Sequence, residues 1–323
     1  MSLLAVWTLA AFFAAAEVPA APPAEAGAEV GAGANVVLVM WDGIHRQEFL
    51  GNRPDGSLSA ADQNEVLPRF WSSLAAQGAV YGDEALGSRM SVSNPVTLSL
   101  PAYQSIMAGF PQPCFSNDCP RIGVETFPQR LARELNLPPA KVATVANWIK
   151  IALAVENSAG TTFVDAGAAG KSRPDAPTWA AAMEYLQKER PRFLFISLGE
   201  ADDLGHAGDY PGYLAALRRY DEWFEELIKI LDGMGEYGKR TTILLTTDHG
   251  RGNGTDWKSH GGRPWAARVW LYARGPGVQG VGRLGQVPPR SHSDIRPTVE
   301  KLLGLKPLSC AGCGEPLPEV AGP

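Results

Sequence analysis

Short runs of apolar and β-branched residues alternate with longer amphipathic segments, and this alternation limits the fold more than any other feature of the sequence. The apolar runs are nearly continuous, which is typical of strands buried on both faces of a parallel sheet. They lie at residues 35–41, 141–147, 192–198, 241–247 and 267–273. Segments with helical periodicity lie at residues 65–78, 125–136, 178–190 and 213–235. The pattern predicts a single three-layer α/β/α domain with a mostly parallel central sheet.

The composition suits a globular protein and argues against a nucleic-acid partner. Of the 323 residues, 45% are hydrophobic and 20% are charged, and the formal net charge is -5. The sequence has no cluster of lysine and arginine residues that could neutralise a run of phosphates. A small-molecule substrate is therefore expected, while nothing in the sequence sets the oligomeric state.

The first 16 residues are typical of an export signal. An apolar run at 3–16 is short for a membrane span and ends in three alanines, a small-residue cleavage pattern. We predict a signal peptide at 1–16, a flexible Ala/Pro/Gly-rich linker at 17–34 and a folded domain at 35–323, in a periplasmic or secreted protein with no further membrane span. Because no Lys or Arg precedes Arg46, an uncleaved anchor and a misassigned chain start stay open.

The cysteines agree with export. The chain has 4 cysteines, and they fall into two close pairs, Cys114 with Cys119 and Cys310 with Cys313. Two local disulfides are the prediction. A four-cysteine zinc site and free thiols remain alternatives, although the spacing lacks the paired CxxC pattern of such zinc sites.

Three of the predicted strands run directly into acidic residues or histidines. Asp42 follows the first strand, Asp202 and His206 follow the strand at 192–198, and Asp248 and His249 follow the strand at 241–247. A single carboxylate after a strand is often only a helix cap. Together, carboxylates and imidazoles at the carboxyl ends of strands are the ligand set of a divalent transition metal, with zinc the natural candidate.

A fourth histidine, His260, lies in the Gly-rich segment DWKSHGG, whose backbone freedom would let the imidazole return to the same cleft. His260 could equally be a surface loop residue. The two other histidines, His45 and His292, do not share such a context.

Ser99 lies directly before Leu100-Pro101, where a helix is predicted to begin. Proline is tolerated in the first helical turn because no N–H is needed there. The free N–H groups and the dipole of a helix N-terminus would stabilise a serine alkoxide and a bound phosphate. A simple N-cap role for Ser99 is the alternative.

In this order, the motifs VMWDG, NPVTLSLPAYQSIMAG, GEADDLGH, TTDHG, SHGG and SHSDIRPTVEKLLG resemble the alkaline phosphatase superfamily. The nearest branches are the type I phosphodiesterase/nucleotide pyrophosphatase-like and phosphoglyceromutase-like ones, and the resemblance covers most of residues 35–306. It implies that residues 35–323 form an alkaline phosphatase-like catalytic domain with two divalent metal ions, expected to be Zn²⁺.

The resemblance also assigns roles to individual residues. The first zinc would be held by Asp42, Ser99, Asp248 and His249. The second zinc would be held by Asp202, His206 and His260. Ser99 is the implied nucleophile, with Thr97 as its rival, and Asn117 is the implied donor to a phosphate oxygen. Lys150 is either a phosphate contact or a solvated lysine.

The implied reaction is hydrolysis of a phosphate monoester or diester through a phosphoseryl intermediate. Sulfate esters are less favoured as substrates, because a sulfatase would carry Cys-x-Pro-x-Arg or Ser-x-Pro-x-Arg, whereas this chain has Ser-Leu-Pro-Ala-Tyr. Mutase activity is less favoured, because the segment from Ser99 to Asp202 is too short for the inserted domain of the phosphoglyceromutase-like branch. Sulfate or phosphonate hydrolysis and non-catalytic anion binding remain the alternatives. Residues 111–124 and 250–266, with Trp257 and Trp265, are the predicted rim of the cleft.

Overall fold

We analysed a computed structural model of the protein, which describes residues 33–51, 65–167 and 169–322. The predicted signal peptide and most of the predicted linker lie outside the described residues. The domain boundaries therefore stay predictions.

An eight-stranded sheet forms the centre of the described structure, in the order β5-β4-β6-β1-β7-β8-β2-β9. All neighbouring strands are parallel except that β8 runs antiparallel to β7 and β2. The strands are β1 Asn35–Trp41, β2 Ala79–Tyr81, β4 Val142–Ala146, β5 Phe163–Ala166, β6 Phe193–Leu198, β7 Thr241–Thr246, β8 Leu271–Arg274 and β9 Gly282–Arg283. A separate parallel pair consists of β3 Met90–Ser91 and β10 Arg290–Ser291.

Helices cover the sheet. They are α1 Arg46–Leu50, α2 Ser99–Ala108, α3 Phe127–Glu134, α4 Ala152–Val155, α5 Asp175–Glu189, α6 Glu200–Ala207, α7 Tyr210–Gly233, α8 Glu236–Lys239, α9 Ile295–Leu302 and α10 Pro318–Ala321. Short 3₁₀ turns connect several of these elements.

Strand β1 separates two hydrophobic cores, because successive side chains of a strand point to opposite faces. Val37, Val39 and Trp41 face the core that α5 and α7 cover. Val36, Leu38 and Met40 face the core that α2, α3 and α9 cover. The predicted three-layer α/β/α fold with a mostly parallel sheet is confirmed.

Four of the five predicted strands match within one residue at each end, and the fifth begins late. The run at 267–273 joins the central sheet only at Leu271, because the backbone just before Leu271 forms its hydrogen bonds with β3. The Val269 N–H donates to the Met90 carbonyl at 3.1 Å, and Arg268 forms a bridge with Ser91. The apolar character of this run therefore reflects burial beside β3 as well as a strand.

The segment predicted as a helix at 65–78 is irregular. A π-helical turn at Phe70–Leu74 is followed by a 3₁₀ turn at Ala75–Gln77. The Asp221 carboxylate of α7 accepts the N–H groups of Arg69 and Phe70, each at 2.8 Å. A side chain thus takes donors that a regular helix would direct to its own carbonyls.

Both predicted disulfides are formed. Cys114 pairs with Cys119 and Cys310 pairs with Cys313, with Cα–Cα distances of 5.6 and 5.1 Å. Within the described ranges, no helix is both long enough and apolar enough to cross a membrane.

Candidate metal centre

Three neighbouring strands deliver acidic side chains to one edge of the sheet. Strands β6, β1 and β7 are adjacent and parallel, so their carboxyl ends meet. Asp42 follows β1, Asp248 follows β7, and Asp202 lies in α6, which begins just after β6. The strand-end clusters predicted from the sequence are brought together here.

The first cluster consists of Asp42, Asp248 and His249, all buried, with ligand atoms within 4.8 Å of one another. His249 Nε2 lies 3.2 Å from Asp248 Oδ2 and 3.7 Å from Asp42 Oδ1. Ser99 Oγ lies 3.1 Å from the same nitrogen. The four residues that the sequence assigns to the first zinc therefore lie next to one another.

The second cluster consists of Asp202, His206 and His260. His206 Nε2 lies 2.9 Å from His260 Nε2 and 3.2 Å from Asp202 Oδ2. His260 Nε2 lies 3.9 Å from the same carboxylate oxygen. The rings of His249 and His260 stack with centroids 3.7 Å apart, so the two clusters adjoin and His249 is within reach of both.

Backbone carbonyls orient two of the imidazoles. His249 Nδ1 lies 3.0 Å from the Gly250 carbonyl, and His260 Nδ1 lies 2.6 Å from the Thr97 carbonyl. Because a carbonyl can only accept, each Nδ1 carries the proton and each Nε2 keeps its lone pair. Nε2 is the atom that faces the carboxylates, which is the arrangement expected of metal-ligating histidines.

Two further residues, Tyr103 and Arg251, hold the carboxylates. The Tyr103 hydroxyl donates to Asp42 Oδ2 at 2.9 Å. Arg251 Nη1 donates to Asp202 Oδ1, and its other guanidinium nitrogens donate to the Trp257 and Lys258 carbonyls at 2.7 and 3.0 Å. Arg251 is 0% exposed although it is charged.

The sequence interpretation missed both residues. Tyr103 lies one helical turn after Ser99, a spacing that places the two on one face of α2. Arg251 lies two residues after His249 within the run TTDHGRG. Both positions were available in the sequence, but only the fold shows that each contacts a carboxylate.

Crowded carboxylates shift the pKa values of this centre. Burial and then the neighbouring charges of Asp248 and Asp202 raise the pKa of Asp42, and burial followed by the charge of Asp202 raises the pKa of Asp248 to about 7. Burial lowers the pKa of His249 and of His260 to about 4, so both imidazoles are neutral near pH 7. The hydrogen bond that His206 donates to the Asp202 carboxylate raises the pKa of His206.

The donor set fits divalent metal ions. Asp42 Oδ1 and Asp248 Oδ2 are buried oxygens without a hydrogen-bond partner in the described structure. Buried polar atoms are normally paired. Neutral imidazoles beside such carboxylate oxygens, with thiolates absent from both clusters, are ligands suited to zinc or a similar transition metal.

Ser99 begins α2, as predicted, and its side chain lines the cavity beside the two clusters. Asn117 lines the same cavity, and its Oδ1 accepts the Leu100 N–H at 2.9 Å. That contact leaves the Asn117 amide donors free for an anion. Lys150 donates to the Asn117 carbonyl at 2.6 Å and to Asp118 at 2.8 Å, so it supports the Asn117 loop.

Thr97, the rival nucleophile, contacts the backbone of His260. Its hydroxyl donates to the His260 carbonyl and its own carbonyl accepts from His260 Nδ1. Thr97 does not line the cavity, whereas Ser99 does. The geometry thus gives Thr97 a part in orienting His260.

The predicted rim is only partly correct. Trp257 packs on Tyr210 with ring centroids 5.0 Å apart, and Trp265 stacks with Arg268 at 4.2 Å. Neither tryptophan lines the cavity, and the aromatic residue that does is Trp148, which follows β4.

Residues 152–307, just under half of the chain, match the family model described as the Metalloenzyme superfamily. A 2,3-bisphosphoglycerate-independent phosphoglycerate mutase from Haloarcula marismortui is 26% identical over 126 residues, which are 38% of this chain and 23% of the mutase. The match therefore spans about a quarter of the length of that relative.

Solved structures extend the comparison to most of the chain. A protein in the alkaline phosphatase superfamily from Vibrio parahaemolyticus matches with a TM-score of 0.56 and 14% identity, over 87% of this chain and 69% of that one. The resemblance to the alkaline phosphatase superfamily is confirmed. The alkaline phosphatase-like fold is also shared by the phosphonate monoester hydrolase of Agrobacterium radiobacter, with a TM-score of 0.61 and 15% identity over 90% of this chain and 77% of that one. Sulfatases are among the other structures with this fold.

Proposed function

We propose that this protein is a metal-dependent hydrolase of phosphate esters, with Ser99 as its nucleophile. The observation that carries the proposal is the position of Ser99. Its hydroxyl lies at the N-terminus of α2, faces the cavity and is 3.1 Å from His249 Nε2, between the two clusters of candidate metal ligands. Seven side chains that the sequence assigns to one site thus support a single centre.

Two divalent cations, expected to be Zn²⁺, would be held by Asp42, Ser99, Asp248 and His249 and by Asp202, His206 and His260. When bound, they would lower the pKa of the serine hydroxyl and neutralise charge on the ester. Ser99 loses its proton and its oxygen attacks phosphorus in line with the leaving group. The bond from phosphorus to the ester oxygen breaks, and the departing alcohol takes a proton.

A phosphoseryl group on Ser99 results, and water then attacks its phosphorus. That step releases phosphate or a phosphate monoester and returns the proton to Ser99. The Asn117 amide would donate to a non-bridging oxygen, because its Oδ1 is already engaged by the Leu100 N–H. The dipole at the start of α2 would add further stabilisation of negative charge, although the Leu100 N–H is engaged by Asn117 and Pro101 has no N–H.

Several observations favour phosphate over the alternatives. Tyr103 stands where a sulfatase motif would carry arginine, and its hydroxyl contacts Asp42 instead of facing the cavity. The described residues between α2 and α6 form sheet strands and helices of the single domain, without the second domain that a mutase would require. The two disulfides favour action outside the reducing cytoplasm, in the periplasm or beyond the cell.

The test is a panel of nitrophenyl esters with zinc-loaded protein: phosphate monoester, phosphate diester, phosphonate and sulfate. We expect a phosphate ester to have the highest kcat/KM. Ser99→Ala should lower it by roughly 10³-fold or more, as loss of a nucleophile does. Ser105→Ala is the matched control, because Ser105 lies in the same helix and contacts the Gln112 N–H instead of the cavity.

A second readout identifies the intermediate. Acid quenching during turnover should trap a phosphoryl group on the peptide that carries Ser99. A sulfate preference would favour the sulfatase alternative. A protein that binds two zinc ions and phosphate but turns over none of the esters would favour a non-catalytic anion-binding protein.

A further inference from the structure

The cavity has a second wall that the proposed reaction does not use. The cavity has a volume of about 270 Å³, and beyond the candidate metal ligands, Ser99 and Asn117 it is lined by Asn147, Trp148, Ser172, Gly199 and Asp203. An adjoining cavity of about 360 Å³ shares Asn147, Ser172 and Asp203. An ester held at Ser99 would extend its leaving group along this wall.

Asn147 is the central residue of the wall. The residue is only 7% exposed, its side-chain amide lines the cavity, and no hydrogen bond joins that amide to another described residue. Its backbone is fixed, since its N–H donates to the Ser197 carbonyl at 3.1 Å and its carbonyl accepts from Arg173 at 2.8 Å. The amide faces the cavity with both its donor and its acceptor unused by the protein, so it is placed to bind something there.

Gly199 makes room for that amide. A Cβ atom added at Gly199 would lie 2.6 Å from Asn147 Nδ2, and the φ of Gly199, -134°, is open to other residues. The glycine is therefore explained by the close approach of the amide. Two separate strand ends, those of β4 and β6, thus cooperate to present the Asn147 side chain.

The chemistry of the wall indicates what it binds. Asn147 offers a donor and an acceptor, Ser172 offers a hydroxyl, and Asp203 offers a carboxylate; none of these side chains is hydrogen-bonded within the described part of the chain. Nearby cations are already engaged. Arg173 pairs with Asp165 at 3.0 Å, Lys150 pairs with Asp118 at 2.8 Å, and Arg219 pairs with Glu200 at 2.8 Å.

These features exclude several leaving groups. An anionic leaving group would be repelled by the Asp203 carboxylate, and none of the residues that line the two cavities offers an unpaired cation to offset this repulsion. An apolar leaving group would bury the Asn147 amide and the Ser172 hydroxyl without partners. A neutral, hydroxyl-rich leaving group satisfies every group, because its hydroxyls can donate to Asp203 and accept from Asn147, while its C–H face rests on Trp148.

We infer that Asn147, Ser172 and Asp203 form a leaving-group subsite for a polyol or sugar, so that the substrate is a polyol or sugar phosphate ester. The inference rests on the proposed function for the location of the phosphate. It adds the substrate class, which the metal centre alone does not specify.

The test measures binding, so that it does not depend on turnover. In zinc-loaded Ser99→Ala protein, calorimetry compares glycerol phosphate with inorganic phosphate and phosphocholine. We expect glycerol phosphate to bind at least tenfold more tightly than inorganic phosphate. Adding Asn147→Leu or Asp203→Ala should remove that advantage, which is measured in each variant as the ratio of the two affinities. Gly199→Ala should act like Asn147→Leu, because its methyl group displaces the amide.

Asp256→Ala is the matched control, because this carboxylate pairs with Arg263 outside the cavity. Equal affinity for glycerol phosphate and inorganic phosphate would overturn the subsite. Tighter binding of phosphocholine would overturn the polyol class in favour of a cationic leaving group. Failure of the proposed function has a different signature: the glycerol phosphate preference and its loss in the variants would persist, while the Ser99-containing protein would turn over no ester.

Discussion

At the scale of single residues, the contact between Arg251 and Asp202 explains a glycine within the metal-ligand motif. A Cβ atom at Gly205 would lie 2.4 Å from Arg251 Cζ, so the guanidinium occupies the space beside α6 that this glycine leaves. Arg251 engages Asp202 Oδ1, which leaves Oδ2 turned towards His206 and His260. The same guanidinium ties the loop before His260 to α6 through the Trp257 and Lys258 carbonyls. Arg251 is thus a positioning residue for the second cluster.

Gly205→Ala is therefore expected to separate stability from metal binding. Alanine is a better helix former than glycine by about 1 kcal/mol, so α6 itself should not be weakened. The added methyl group should displace Arg251 and lower zinc affinity at the second cluster by roughly 10–100-fold, as loss of an outer contact to a ligand does. Zinc titration by calorimetry should show one of two sites weakened.

Gly233→Ala is the control for that experiment. Gly233 ends α7, and an added Cβ would meet nothing within 4 Å. It should leave both zinc affinities unchanged. Two unaltered zinc sites in Gly205→Ala would show that Arg251 does not position Asp202.

At the scale of elements, a small disulfide loop presents Asn117 to the start of α2. Cys114 is buried in the core, while Cys119, five residues later, closes the loop around Asn117. Two contacts hold the asparagine itself: its Oδ1 accepts the Leu100 N–H, and its carbonyl accepts from Lys150. Ser99, the proposed nucleophile, and Asn117, the proposed amide donor, are therefore held by one helix end and one crosslinked loop.

Breaking this crosslink should weaken substrate binding more than it weakens the fold. In Cys119→Ser the loop is freed but Lys150 and Leu100 still hold it, so we expect KM for the preferred phosphate ester to rise by roughly 10-fold with a smaller change in kcat. The free energy of unfolding should fall by about 2 kcal/mol, the low end for a native disulfide. Steady-state kinetics and urea denaturation measure the two effects.

The second disulfide provides the comparison. Cys313→Ser removes the crosslink to Cys310, which lies outside the candidate metal centre. It should leave KM unchanged. An unchanged KM in Cys119→Ser as well would mean that the loop is held without its disulfide.

At the scale of the whole molecule, the sheet brings several carboxylates close together, and the protein does not supply enough positive charge to neutralise them. Three carboxylates and three imidazoles meet at the edge formed by β6, β1 and β7. The pKa of Asp248, about 7, lies above its ordinary value of 3.8 because of burial and the charge of Asp202. The metal-free protein therefore holds a proton on Asp248 that the unfolded chain releases at lower pH.

The sign of the pH effect follows from that proton. As pH rises from about 4 to 7, a carboxyl group whose pKa is raised by folding makes the metal-free folded state less stable relative to the unfolded one. Divalent cations replace the proton, so apparent zinc affinity should rise with pH at least until Asp248 is ionised near pH 7, and protons displaced from Asp42 and His206 add to the same trend. His249 and His260, with pKa values of about 4, stay neutral and do not compete with the metal in this range.

The measurement is the increase in Tm on adding zinc to chelator-treated protein at pH 5.5, 6.5 and 7.5. The increase should grow with pH. In Asp248→Asn, which cannot hold the proton, the increase should be smaller and its dependence on pH weaker, because among the candidate ligands only Asp42 and His206 still have raised pKa values. An increase that shrinks as pH rises would contradict the proton displacement.

Much of this protein could be predicted from its sequence because the relevant signals are local. The apolar runs identify the central strands, Ser99 before Leu100-Pro101 identifies a helix start, and the paired cysteines close short loops. Asp42, Asp248 and His249 follow β1 and β7 within three residues, and parallel strands bring such residues to one edge without further information.

Only the tertiary structure decided which distant residues meet. Arg251 and Asp202 are 49 positions apart, and Tyr103 and Asp42 are 61 apart, so no periodicity links them. Asp221 accepts the Phe70 N–H from 151 positions away, and Asn147 lines the cavity because the ends of β4 and β6 lie side by side. A sequence pattern encodes the direction of a side chain along its own strand or helix. The contacts between elements depend on how the whole sheet is assembled, because that assembly alone sets the distances between their ends.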